Sequence, residues 1–102
     1  MRRTQRPNRP SWTHGQKPVT VPGIAEQMSS LVIPDGFALV VRAKPDNTNS
    51  IYLGATKALA ESATDRIPYS TGNGLSLWIK NADQVWVDAA VAGEGVDFWV
   101  EQ

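Results

Sequence analysis

Short apolar runs alternate with clusters of glycine, proline, asparagine and aspartate from residue 19 to the end of the chain. Within several runs the alternation has a period of two. Leu75, Leu77 and Ile79 share one side of a strand, and Ser76, Trp78 and Lys80 share the other. Val85 and Val87 oppose Trp86 in the same way, and Val96, Phe98 and Val100 oppose Asp97, Trp99 and Glu101. Successive side chains of a strand point to opposite faces, so this spacing predicts strands with one buried face. The pattern predicts strands over residues 19–21, 37–44, 50–54, 75–80, 85–88 and 96–101, with one broken or two short strands over 24–33. Pro34-Asp35-Gly36 reads as a tight turn, because glycine accepts the positive φ that such turns need. Turn residues also fill 46–49, 73–74, 81–83 and 93–95. Residues 57–63 are helix formers without a β-branched side chain and predict a helical turn or a crossing loop. Several short, closely spaced strands predict an all-β fold, an antiparallel β-sandwich or jelly-roll-like barrel of about 7–8 strands.

The same alternation places large aromatics opposite the aliphatic side. Tyr52 opposes Ile51 and Leu53, and Trp78, Trp86 and Trp99 each stand among polar neighbours. Exposed aromatics of this size mark a subunit interface or a ligand platform. The alternative is that arm or loop segments cover the rings and make a second small core.

Residues 1–18 have a different texture. They contain Pro7, Pro10 and Pro18 and almost no aliphatic side chain, which predicts an extended N-terminal arm ahead of a sandwich domain over 19–102. Arg2, Arg3, Arg6 and Arg9 make the arm basic, and Trp12 is its single aromatic residue. Such a tryptophan serves as an anchor in another protein's pocket or folds back on its own domain. The net charge of zero conceals this asymmetry: residues 1–23 contain five basic side chains and no acid, while 24–102 contain five basic and ten acidic ones. Arginines near a tryptophan suit nucleic acid, yet the acidic body repels a phosphate backbone, so the arm suits an acidic protein surface better. The longest aliphatic run, 37–41, is five residues, against about 20 for a membrane span. No apolar segment follows Arg2-Arg3 as a secretory signal requires.

Candidate chemistry is sparse. The chain has no cysteine and one histidine, His14, which the sequence places in the arm. A nucleophile triad or a histidine metal site has too few partners. The oxygens of residues 46–49 lack the spacing of a calcium loop, and Gly72-Asn73-Gly74 precedes a strand where a phosphate loop would follow one. Asp88, Glu94 and Asp97 are candidate paired carboxylates only by abundance, and a small sandwich offers them little cleft. The expectation is a protein that is not an enzyme and needs no cofactor or metal.

Arranged along the chain, Pro34-Asp35-Gly36, Arg42-Ala43-Lys44-Pro45, Asn49-Ser50-Ile51-Tyr52-Leu53-Gly54, Gly74-Leu75-Ser76-Leu77-Trp78-Ile79, Asn81-Ala82-Asp83-Gln84-Val85-Trp86-Val87 and Ala92-Gly93-Glu94-Gly95-Val96-Asp97-Phe98 form a recognisable series. It resembles the small β-sandwich structural proteins of tailed bacteriophages, of the head-decoration or capsid-fibre type. The similarity spans residues 31–102; Ser70 to Gly74 and the alanine-rich 57–65 depart from the family pattern. The resemblance implies a virion component on the head exterior, a homo-oligomer with trimers favoured, whose partner is the major capsid protein or another virion protein. A carbohydrate- or receptor-binding module, or a fibre base, is the alternative it leaves open; a nucleic-acid-binding arm is a further one.

Overall fold

The computed structural model of the chain describes residues 14–101. Among the described residues, eight strands form two four-stranded antiparallel sheets. They are β1 (His14–Pro18), β2 (Glu26–Gln27), β3 (Ala38–Ala43), β4 (Ile51–Gly54), β5 (Ile67–Tyr69), β6 (Gly74–Leu77), β7 (Trp86–Ala89) and β8 (Gly95–Glu101). One sheet has the order β1-β8-β3-β6 and the other β2-β7-β4-β5. Every connection crosses between the sheets except β4 to β5, which carries helix α1 (Lys57–Glu61). This order is that of a jelly roll, the double-sheet architecture built from two Greek keys.

The core is the set of inward positions that alternation predicts. Leu39, Val41 and Ala43 from β3, Ile51 and Leu53 from β4, Val87 and Ala89 from β7, and Val96 and Val100 from β8 are buried together. Val19 and Met28, from the connections, are buried with them. The Pro34-Asp35-Gly36 turn forms as read: Gly36 has φ 81°, and the Phe37 amide donates to the Pro34 carbonyl at 3.0 Å. Within the β6–β7 connection, Asn81 starts a single 3-10 turn, Ala82–Gln84, with a capping box.

Four elements differ from the sequence reading. Residues 14–18, assigned to the arm, form β1 and pair with β8 from Gly95 to Trp99. This is an edge strand, so Pro18 at its end removes no needed donor, and its outer face is polar because solvent meets it. Residues 19–21 are not a strand: Val19 is fully buried, and its amide and carbonyl bond Glu94 and Gly93 in the β7–β8 connection. Strand β5 was not anticipated; Pro68 at its centre demotes the run by pattern, and an edge position tolerates it. Strand β6 ends at Leu77, short of Lys80, because the 31–33 segment takes over the pairing at Asn81.

Candidate interaction face

Register brings distant residues into rows across the outer face of the β1-β8-β3-β6 sheet. His14 lies opposite Trp99, Trp99 opposite Val40, and Val40 opposite Ser76. One step along, Gln16 lies opposite Asp97, Asp97 opposite Arg42, and Arg42 opposite Gly74. The Arg42 guanidinium bonds the Asp97 carboxylate at 2.6 Å and lies 5.4 Å from the centroid of the Trp99 ring. The Trp99 indole N–H donates to Glu101 at 2.6 Å. Around these groups runs a shallow depression of about 410 Å³, bounded by His14, Gln16, Arg42, Asp97 and Trp99. Arg42 Nε is buried without a hydrogen-bond acceptor among the described residues. The face therefore joins an aromatic ring, an ion pair and an amide, a composition suited to a partner that brings both polar and apolar groups.

The four aromatics predicted to share an outer position divide between the two sheets. Trp99 belongs to the face just described. Trp78 follows β6, continues its outward alternation and is 74% exposed. Tyr52 and Trp86 belong to the other sheet, on β4 and β7. There the outer face is covered by α1 and the 20–25 segment. The Arg66 guanidinium stacks on Tyr52 at 3.6 Å from the ring centroid, and Asp88 is buried where it accepts from the Gly23 amide at 2.9 Å. Tyr52 and Trp86 are accordingly half-buried, nearer to the second-core alternative than to a free platform. Arg2, Arg3, Arg6, Arg9 and Trp12 lie outside the described residues.

Nothing in the sequence marks Arg42, Asp97, Gln16 and His14 as one cluster. Only the β1–β8 and β8–β3 registers unite them. The alternation of Trp99 with Asp97 and Glu101 was the one local sign that this strand has a mixed outer face.

The two long sides of the sandwich are unlike. Between β1 and β2, Lys17 and Glu26 bridge the sheets with a 2.7 Å ion pair. The Lys17 ammonium, followed by the Thr20 amide, holds the Glu26 carboxyl below its ordinary range. Between β5 and β6 the gap is lined by apolar side chains.

Among the described residues, no helix is long and apolar enough to cross a membrane. Comparison with protein-family models, with curated proteins and with solved structures finds no match to this chain.

Proposed function

We propose that this chain is a non-enzymatic structural protein of a bacteriophage virion, a cement-type protein that decorates the head. In this reading the basic arm and the Trp99 face grip the capsid together. The observation that carries the proposal is their continuity. The arm runs directly into β1, and β1 is the strand beside Trp99, so a partner held by residues 1–13 lies against that face. The Arg42–Asp97 pair already places a cation over Trp99, and Tyr52 and Trp86 lie on the other sheet, which favours a protein surface over a glycan platform built from all four rings. Charge agrees with an acidic partner. Residues 1–13 contain four arginines and no acid, and residues 14–102 contain six lysines and arginines against ten acids. Many weak contacts of this kind act together on a repeating lattice.

The test is occupancy. Virions are assembled with the wild-type chain or with Arg2, Arg3, Arg6 and Arg9 all changed to alanine, and bound protein is quantified by mass spectrometry. The wild-type chain is expected on the particle, and the variant, with an unchanged circular dichroism spectrum, is expected to be lost from it. Equal occupancy, or absence of the wild-type chain from virions, overturns the reading.

A further inference from the structure

The side of the sandwich between β5 and β6 holds an apolar groove of about 250 Å³. Leu53, Ile67, Tyr69, Leu75, Leu77 and Ile79 line most of it. Ile67 is 51% exposed at its rim. Small-molecule pockets run from roughly 300 to 1,000 Å³, so this space suits one large side chain better than a free ligand. Both flanking strands are sheet edges. Each therefore keeps outward backbone carbonyls, which a buried indole N–H requires as acceptors.

Residues 1–13 contain a single aromatic side chain, Trp12. Its attachment point decides whose groove it can fill. His14 starts β1, and the row His14, Trp99, Val40, Ser76 sets β1 three strands from β6. Three strand spacings are about 14 Å. Trp12 is two residues from His14, and two residues of extended chain reach about 7 Å. Two residues of chain are therefore too short to carry Trp12 from His14 to the β5–β6 side of its own body.

We infer that Trp12 of one copy fills the β5–β6 groove of a second copy, so that the chain self-associates head to tail through its arm. The contact joins two different surfaces, as heterologous interfaces do, and such contacts make rings where the rotation closes and open filaments where it does not. The β1 and β6 edges face opposite ways, and Trp12 is joined to β1 through a single residue, Thr13. Two copies cannot make both contacts at once, so the smallest closed ring has three copies. This deepens the proposed function by assigning the neighbour-binding part of the arm, but it does not depend on a capsid. Self-association is read on the purified full chain, so its failure and the failure of virion attachment are separate results.

The experiment uses Trp12→Ala, which keeps the groove and loses the plug, and Ile67→Arg, which keeps the plug and places a charge at the groove rim. Ile67 is half-exposed on an edge strand, and an unchanged thermal melt shows that the body is intact. In sedimentation velocity the wild-type chain is expected to run as an assembly larger than a dimer and each variant alone as a monomer. An equimolar mixture of the two is expected to form a one-to-one dimer, since one working plug meets one working groove. A monomeric wild-type chain, assembly that survives either substitution, or a mixture that remains monomeric overturns the inference.

Discussion

Three glutamates join loops that the chain order keeps apart. Glu26 accepts from Lys17 at 2.7 Å and from the Thr20 amide at 2.6 Å. Glu61 accepts from Lys57 at 2.7 Å and from the Ala25 amide at 2.8 Å. Glu94 accepts from the Thr48 hydroxyl and amide and from the Asn49 amide. All three carboxyls are held below the ordinary glutamate value of 4.5, chiefly by Lys17, Lys57 and Thr48 respectively. A carboxyl with a depressed folded pKa binds its proton less readily folded than unfolded. Its contribution is complete above the ordinary value and is lost as pH falls through the depressed one. The thermal midpoint is therefore expected to drop below about pH 5. Changing Glu26, Glu61 and Glu94 together to glutamine is expected to lower the midpoint at neutral pH and to flatten that acid limb. Calorimetry across the range checks this, and an acid limb as steep as the wild type's contradicts it. The glutamates themselves are plain in the sequence, but nothing local marks Glu94 as the acceptor for residues 48 and 49. The acceptor and its donors meet only because the β3–β4 and β7–β8 connections lie side by side.

At the scale of elements, α1 shows how tertiary packing rescues a weak local signal. Five residues do not hold a helix in water. Thr56 caps it by accepting from the Leu59 amide, and Lys57 and Glu61 pair one turn apart. Its remaining support is the sheet beneath. Ala60 is fully buried, and a Cβ on Gly54 would collide with the Ala60 backbone. Gly54→Val is expected to lift α1 from β4 and to cost about 2–3 kcal/mol, in the range of overpacking, measured by urea unfolding. A loss under about 0.5 kcal/mol, the size of an ordinary surface change, speaks against close packing here. The strands with strong alternation, β4, β6, β7 and β8, were legible because their two faces differ in hydropathy, and β3 was legible as a continuous β-rich run. β1 and β5 were not. Each is short and polar or proline-bearing and sits at a sheet edge, where only part of the surface is buried, so burial leaves a weak trace in the residues.

The position of β1 matters most at the scale of the whole molecule. The sequence places the arm–domain boundary at residue 18, and the fold places the first strand at His14. Deleting residues 1–13 is expected to leave a folded body with a near-wild-type melt. Deleting residues 1–18 removes β1 and bares the β8 edge from Gly95 to Trp99. An uncovered strand edge invites pairing with other chains, so the longer deletion is expected to melt earlier and to aggregate in light scattering. Equal melting of the two truncations would mean that β1 contributes nothing to the body. The same strand links the arm to Trp99, so the candidate face belongs to the whole molecule and to no single segment.

Hydropathy alternation, turn chemistry and composition sufficed to determine an all-β sandwich and a basic N-terminal segment, because each acts over a few neighbouring residues. Leu75, Leu77 and Ile79 declare their inward side without knowing their partner strand. Tertiary structure alone decided the partners. The order β1-β8-β3-β6 pairs the first described strand with the last. It puts Arg42 beside Asp97 and Trp99, and it separates Tyr52 and Trp86 from Trp78 and Trp99 onto the two sheets. Strand pairing is set by backbone hydrogen bonds and by core closure between residues far apart in the chain, and those forces leave no local period to read.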